Sequence, residues 1–343
     1  MPANPYLKRI LEARESFTRE DARSLMQQIL ASEFSDIQLA ALLGALAARG
    51  ETAVEIAGFV DVMRSAVTPL PLDHDERYQL TDTCGTGGDL SGTFNISTGA
   101  ALVAAAAGAT VAKHGNRAVT SQTGSADVLE ALGIPVGLSP IEATAALRAH
   151  RFAFLHAPSL HPAMKAVMPV RRALGVRTVF NLLGPLTNPA GASAQVMGVY
   201  AAHAVPLVAE AMAILGVRHA FVVHGQSETG RGLDEISISG PTHLAEVHNG
   251  IVTLSTITPE DLGLERAPME TLLGDDAATN ATILTAIFAG ERSPRRDIVL
   301  LNAAAVLVAA DLAPDLITGA ALAARTIDTG AVTELVVTLA RKH

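Results

Sequence analysis

The first fifth of the chain places apolar and polar residues with the period of an α-helix. Capping-box spacing, a Ser or Thr three positions before an acidic or amide side chain, occurs at 18–21, 35–38 and 52–55. After the second box, Leu39, Leu42, Leu43 and Leu46 recur as one helix face requires. The pattern predicts four short antiparallel helices over residues 1–68, with a packing role and no visible chemistry.

The pattern changes at residues 69–71, Pro-Leu-Pro, which mark a candidate hinge. Strand-like and helix-like stretches alternate from there to about residue 277, and helical patterns dominate beyond it. The predicted strands are 78–83, 109–113, 152–155, 195–200 and 220–223. Such alternation predicts an α/β fold: a small N-terminal helical domain plus a larger domain whose mostly parallel central sheet is flanked by helices. Ser125 is predicted to cap a helix over 126–132.

Composition narrows the class of protein. With 343 residues, of which 49% are hydrophobic, the chain favours about two domains. The net charge of −9 argues against a nucleic-acid binder, which needs a basic surface. One cysteine, no basic-then-apolar leader and no apolar run long enough for a bilayer indicate a cytoplasmic protein with no membrane partner.

Chemistry concentrates at residues 82–89, Asp-Thr-Cys-Gly-Thr-Gly-Gly-Asp, which follow the first predicted strand of the sheet. Glycines allow backbone amides to approach an anion, and successive N–H groups form a concave nest for phosphate oxygens. Ser97 and Thr98 then open an Ala/Val-rich helix whose free N–H groups point to the same place. The spacing matches neither the Walker loop nor a dinucleotide fingerprint. These residues predict a phosphate site.

Residues 113–117, Lys-His-Gly-Asn-Arg, end the second predicted strand and add positive charge beside that site. Lys and Arg are suited to phosphate, whereas His114 is equally compatible with a structural hydrogen bond. The acidic pair Asp234 and Glu235 has two interpretations, a solvated surface or a Mg²⁺ site. Cys84 is interpreted as a buried structural thiol.

Taken in order, these motifs resemble those of the anthranilate phosphoribosyltransferases, and the resemblance covers nearly the whole chain. It implies a phosphoribosyltransferase-type fold with a helical domain, 1–70, joined in space by part of 160–190, and an α/β domain, 71–343, that binds phosphoribosyl pyrophosphate. The implied reaction, the second step of tryptophan biosynthesis from chorismate, transfers the 5-phosphoribosyl group to the amino nitrogen of anthranilate and releases pyrophosphate. No acid–base residue is implied.

The resemblance also assigns residues to the two substrates. The sugar donor is expected to contact Gly85, Gly88, Asp89, Thr93, Asn95, Ile96, Ser97, Thr98, Lys113, His114, Gly115, Asn116, Arg117, Ala118, Val119, Thr120, Ser121 and Ser125. By the same resemblance, anthranilate is expected to contact Gly85, Asn116, His161 and Arg171. Arg171 would recognise its carboxylate, a role for which the planar fork of an arginine is suited. The neighbouring Arg172 is interpreted as solvated.

Two Mg²⁺ ions per subunit, held by Ser97, Asp234 and Glu235, and a homodimer are further implications of the resemblance. The alternative enzyme is a pyrimidine-nucleoside phosphorylase, whose glycine loop has another pattern and for which the acidic pair has no obvious role. The alternative from another class is a non-catalytic relative that binds nucleic acid, which the negative charge disfavours.

Overall fold

The structure, a computed structural model, describes residues 4–118 and 122–341. Its α-helices are α1 Pro5–Leu11, α2 Arg19–Leu30, α3 Asp36–Arg49, α4 Ala53–Ser65, α5 His74–Gln79, α6 Ile96–Ala106, α7 Ser125–Ala131, α8 Pro140–His150, α9 Ala157–Leu160, α10 Met168–Leu174, α11 Phe180–Leu183, α12 Ala204–Ile214, α13 Ala277–Phe288, α14 Pro294–Ala309, α15 Leu316–Asp328 and α16 Ala331–Ala340. Its strands are β1 Leu80–Gly85, β2 Thr110–Gly115, β3 Phe152–His156, β4 Ala194–Gly198, β5 His219–Gln226, β6 Gly232–Leu233, β7 Thr242–His248 and β8 Ile251–Ile257.

The predicted N-terminal helices form, and local side chains define where they begin. The side chains of Thr18, Ser35 and Thr52 each accept a hydrogen bond from the backbone N–H three residues later, and each box is reciprocal. Because these bonds satisfy N–H groups that a helix start leaves free, they fix the first residue of α2, α3 and α4. The leucines after the second box are buried, as the helical period requires.

The strands form one sheet in the order β3-β2-β1-β4-β5-β7-β8, with β6 beside β5. Strands β1 to β5 pair in parallel, while β6, β7 and β8 are antiparallel to their neighbours. Parallel strands bring the carboxyl ends of β1, β2, β4 and β5 to one edge of the sheet, where open α/β folds bind ligands. The predicted fold class is confirmed.

Helices cover both faces of this sheet. In β5, Phe221 and Val223 join the buried cluster formed with α6 and with α13 to α16, whereas Ala220 and Val222 join the cluster formed with α12 and the N-terminal helices. A strand alternates its side chains between the two faces of the sheet. Burial on both faces therefore explains why β5 is an apolar run rather than an alternating one.

Most predicted boundaries differ from the observed ones by one to three residues, and two of these differences have a clear local cause. The first strand begins at Leu80 instead of residue 78, because Asp73 and Glu76 form a capping box that starts α5 and takes Tyr78 into that helix. Ser125 is the first residue of α7 rather than its cap, because the Asp127 carboxylate accepts from the Gly124 N–H at 2.9 Å.

The antiparallel hairpin of β7 and β8 was not predicted. Its turn residues, Asn249 and Gly250, have positive φ angles of 51° and 81°. Asn-Gly with two left-handed residues is the typical signal of a two-residue hairpin turn, so the information was present in the sequence. The hairpin extends the sheet beyond β5 and provides its antiparallel edge.

Residues 69–71 connect the N-terminal helices to the sheet, but they are not a free linker. Leu70 is buried, and its N–H donates to the Pro189 carbonyl at 3.5 Å. Just before it, the Thr68 N–H donates to the Leu160 carbonyl at 2.9 Å. The connection is thus held by the 160–190 segment. Within the described ranges, no helix is both long enough and apolar enough to cross a membrane.

Candidate active site

The glycine-rich loop after β1 meets the acidic pair at the carboxyl edge of the sheet. The Gly87 N–H donates to Asp234 Oδ2 at 2.7 Å, and the Asp234 N–H donates to Asp89 Oδ2 at 3.2 Å. The sequence-predicted loop and the sequence-predicted carboxylates, 147 positions apart at the first bond, are therefore in direct contact. The surface interpretation of the acidic pair is wrong.

The other carboxylate of the pair lies at the start of α6. The Ser97 N–H donates to Glu235 Oε1 at 3.1 Å, as the positive end of a helix favours. Beneath it, the buried Lys113 ammonium donates to the Thr83 carbonyl at 2.7 Å and to Ser97 Oγ at 3.4 Å. Ser97, Asp234 and Glu235, the three residues predicted to bind a metal ion, thus lie together where the glycine loop meets the start of α6.

Glycines allow the acidic segment to lie directly on the sheet. A Cβ added to Gly198 would stand 1.6 Å from the Asp234 carbonyl oxygen, and one added to Gly85 would stand 2.2 Å from Asp234 Oδ2. At Gly225 the same atom would lie 2.5 Å from the Glu235 carbonyl oxygen. These glycines lie at or next to the ends of neighbouring parallel strands. The acidic segment can therefore pack against this edge of the sheet only because the three residues lack side chains.

This packing crowds negative charge into a small volume. Loss of hydration, with repulsion from Asp89 and Glu235, holds the pKa of Asp234 well above its usual range. Desolvation likewise raises the pKa of Glu235 to about 7, although the Lys113 ammonium opposes the shift. Carboxylates held so close together without full compensation are typical of a site for an added cation.

The chemistry of these donors fits Mg²⁺. Carboxylate oxygens of Asp234 and Glu235 and the hydroxyl of Ser97 are hard ligands, and Mg²⁺ takes one or two carboxylates together with substrate oxygens and water. A divalent cation would also offset the repulsion that raises the two pKa values. These three residues would hold it.

The other residues predicted to bind the donor in the glycine loop and the first turn of α6 differ in how accessible their side chains are to a ligand. Thr93 and Asn95 are half-buried, and Asn95 Nδ2 donates to the Thr123 carbonyl at 3.3 Å. Ile96 and Thr98 are buried, so Ile96 can offer a ligand only backbone atoms. The Thr98 hydroxyl is enclosed and has no hydrogen-bond partner within the described ranges. Thr98 is thus less open to a ligand than Ser97.

His114 and His161 form a buried pair, with their Nε2 atoms 3.0 Å apart. Burial lowers the pKa of His114 to about 3 and that of His161 to about 4, and the proximity of His161 contributes to the first shift. Both imidazoles are therefore neutral near pH 7. The pair joins the end of β2 to the segment between α9 and α10, and α10 carries Arg171.

The segment after β2 turns toward α7. Asn116 is exposed, but Arg117 forms a forked ion pair with Glu130, its two terminal nitrogens each 2.6 Å from a carboxylate oxygen. Arg117 would have to leave this partner to bind a phosphate. Of the other predicted contacts here, Gly115, Ala118 and Ser125 are half-buried. Val119, Thr120 and Ser121 lie outside the described residues.

Arg171 lies on α10, which packs against α3. Its guanidinium stands 5.4 Å from the centre of the Phe180 ring, and desolvation lowers its pKa. Within the described ranges, no carboxylate contributes to that shift. A half-buried arginine stacked on a ring and lacking an acidic partner is suited to an incoming carboxylate. Arg172 beside it is exposed, as predicted.

Two residues of the site were not singled out from the sequence. Arg177 donates to the Gly88 carbonyl and stacks 4.6 Å from the centre of the Tyr200 ring, so that it ties the 160–190 segment to the glycine loop. Asp82 accepts from the His114 N–H at 3.1 Å and aligns β2 with β1. No local motif marks Arg177, whereas Asp82 lies within the motif already quoted.

Comparison with known proteins agrees with this architecture. Residues 77–333 match the family model described as "Glycosyl transferase family, a/b domain", and residues 4–67 match "Glycosyl transferase family, helical bundle domain". With its N-terminal helices and its mostly parallel sheet, the chain thus belongs to the two-domain glycosyl transferases that these two models describe.

Similar full-length proteins narrow the class. The chain is 52% identical to an anthranilate phosphoribosyltransferase of Anaeromyxobacter sp. strain K, over 96% of this chain and 95% of that one. It superposes on the Thermus thermophilus enzyme of that name with a TM-score of 0.90 and 43% identity, covering 98% of each chain. A Saccharomyces cerevisiae anthranilate phosphoribosyltransferase in complex with PRPP and Mg gives a TM-score of 0.85 at 26% identity, over 97% and 95% of the chains. The chain belongs to the anthranilate phosphoribosyltransferase family of enzymes.

Proposed function

We propose that the protein transfers the 5-phosphoribosyl group of phosphoribosyl pyrophosphate to the amino nitrogen of anthranilate, in tryptophan biosynthesis. The contact between the glycine loop and the acidic pair carries this proposal, because it joins an anion-binding backbone to a cation-binding carboxylate set. The C1–O bond of the donor breaks and its electron pair leaves with pyrophosphate. The amine lone pair forms the new C1–N bond, and the nitrogen loses one proton.

The glycine loop and the start of α6 would bind the pyrophosphate and ribose of the donor. Free N–H groups at a loop and a helix start stabilise negative charge that grows as the bond breaks. We further propose that Ser97, Asp234 and Glu235 hold two Mg²⁺ ions, whose charge would neutralise the departing pyrophosphate. The crowded, desolvated carboxylates support this assignment.

The acceptor would lie between the glycine loop and the segment that follows β3. Arg171 would pair with the anthranilate carboxylate, while Gly85, Asn116 and His161 would line the aromatic ring. An aromatic amine is already neutral and nucleophilic near pH 7, so correct positioning can supply much of the rate without a strong base.

We also propose that residues 1–70 and part of 160–190 form one helical domain, apart from 71–343, which closes over the site to exclude water. Val167, Val170 and Phe180 share a buried cluster with residues of α1 to α4, which supports this division. Closure would then move the Arg177 contact with the glycine loop. A homodimer formed through the helical domain completes the proposal.

The direct test mixes protein, Mg²⁺, phosphoribosyl pyrophosphate and anthranilate, then follows the loss of anthranilate fluorescence and the release of pyrophosphate. Both signals are expected to change at equal rates and to require all three added components. The proposal would be wrong if pyrophosphate were released at the same rate without anthranilate, or if no turnover occurred with Mg²⁺ present.

Replacing Arg171 separates the two substrates. Arg171→Ala is expected to raise the KM for anthranilate about 100-fold, because a charge-assisted pair of roughly 2–3 kcal/mol is lost, while the KM for the sugar donor changes little. Arg172→Ala, an exposed neighbour on the same helix, is the matched control and should leave both constants unchanged. Equal effects of Arg171→Ala on both substrates would contradict the assignment.

A further inference from the structure

A second cluster of metal-ligating side chains lies at the opposite edge of the sheet. His219, Glu246 and His248 each offer one ligand atom, and these three atoms lie within 4.8 Å of one another. His219 begins β5, whereas Gly225 near its other end contacts the acidic segment. At about 3.3 Å per strand residue, roughly 20 Å separate this cluster from the proposed active site.

The sheet register explains why the three side chains meet. His219 and His248 are directly paired residues of β5 and β7, and their rings stack with centres 4.4 Å apart. Glu246 precedes His248 by two residues, and a strand returns to the same face every second residue. His219 Nε2 lies 2.9 Å from Glu246 Oε1. All three ligands therefore project from one face of a rigid antiparallel pair.

The second nitrogen of His219 has its own partner. Nδ1 lies 3.5 Å from Asp311 Oδ1, and Asp311 is in turn ion-paired with Arg218. A carboxylate on the remote nitrogen is the usual support of a metal-bound histidine, because it fixes the ring and makes the other nitrogen a better ligand. This arrangement leaves Nε2 to face Glu246.

We infer that His219, Glu246 and His248 bind a divalent transition metal ion of the zinc class, with Asp311 orienting His219. Imidazole and carboxylate ligands suit Zn²⁺, Ni²⁺ or Cu²⁺, whereas Mg²⁺ prefers oxygen alone. Tetrahedral donors at about 2.0–2.1 Å from a zinc ion stand roughly 3.4 Å apart. His219 Nε2 and Glu246 Oε1 are already closer than this, and the other separations, all within 4.8 Å, need a closure of at most about 1.4 Å. His219 is buried and fixed, while His248 is exposed and can supply that movement.

The ion would link β5 to the hairpin edge of the sheet and take no part in the transfer reaction. Titration of chelator-treated protein with Zn²⁺, in excess Mg²⁺ to occupy the oxygen site, is expected to show one equivalent bound per chain by calorimetry. His248→Ala and Glu246→Gln should each weaken that binding at least tenfold. His74→Ala removes a histidine whose side chain is 91% exposed and is the matched control.

Co²⁺ provides a second measurement, since its visible absorption reports its coordination geometry. The unchanged protein is expected to give the intense bands of a four-coordinate site, and His248→Ala should lose them while its Mg²⁺-dependent transfer rate and its far-UV circular dichroism stay unchanged. Substoichiometric Zn²⁺ binding, or equal binding by His248→Ala and His74→Ala, would show an adventitious ion only and overturn the inference.

Discussion

At the scale of single residues, the site depends on what glycine lacks. Gly198 and Gly85 stand beside each other in β4 and β1, and the carbonyl and carboxylate of Asp234 occupy the space of their missing side chains. Glycine in a strand interior normally weakens the strand. Here it allows a charged segment from the other side of β5 to reach the loop that follows β1.

Gly198→Ala is expected to displace Asp234 and to lower Mg²⁺-dependent kcat/KM on the order of 100-fold, because even a shift of about 1 Å misplaces the reacting groups. Steady-state kinetics and a Mg²⁺ titration measure the two effects. The control is Gly44→Ala, a helical glycine whose added Cβ would have no heavy atom within 4 Å. Unaltered kinetics of Gly198→Ala would show that the close approach has no functional role.

At the scale of elements, the capping boxes that start α3 and α4 have the same local pattern but different surroundings. The box that starts α3 is exposed, whereas in the box that starts α4 the partner of Thr52 is the fully buried Glu55. Glu55 Oε1 also accepts from the Phe17 N–H at 2.7 Å and pairs with Arg49 at 2.5 Å. The capping pattern was visible in the sequence, but the burial of Glu55 depends on helices packing together.

We therefore expect Thr52→Ala to lower the free energy of unfolding by about 2 kcal/mol, since it removes a cap and one hydrogen bond of a buried carboxylate. Ser35→Ala, the same substitution at the exposed box, should cost about 1 kcal/mol or less. Urea denaturation of both variants at pH 7 measures the difference. Equal losses would mean that the environment of Glu55 adds nothing to the cap.

At the scale of the whole molecule, the His114–His161 pair joins the sheet to the segment that carries Arg171. The unfolded chain takes up protons on both imidazoles near pH 6.5. In the folded protein their pKa values are about 3 and about 4. Between the folded pKa values and about pH 6.5, the unfolded state binds more protons than the folded state. The stability that the neutral histidine pair contributes is therefore complete above about pH 6.5 and is lost as the pH falls toward 4.

The pH prediction is tested by urea denaturation between pH 7.5 and 4.5. The free energy of unfolding should fall with pH in the unchanged protein, and His161→Gln, which retains a polar partner for His114, should reduce the slope in that range. His74→Gln is the control, since the His74 side chain is almost fully exposed. A slope that His161→Gln leaves intact would assign the pH dependence to other groups.

The sequence by itself determined the helix starts, most strands, the two chemical motifs and the family, because caps, periodicity and motif spacing act over a few residues. It did not reveal that Arg177 holds the glycine loop, that Arg117 faces Glu130, or that His219 meets His248. These contacts join residues 13 to 89 positions apart, and only packing decides which distant side chains share a place. Tertiary structure likewise raised the pKa values of the acidic pair, since a pKa depends on the neighbours that displace water.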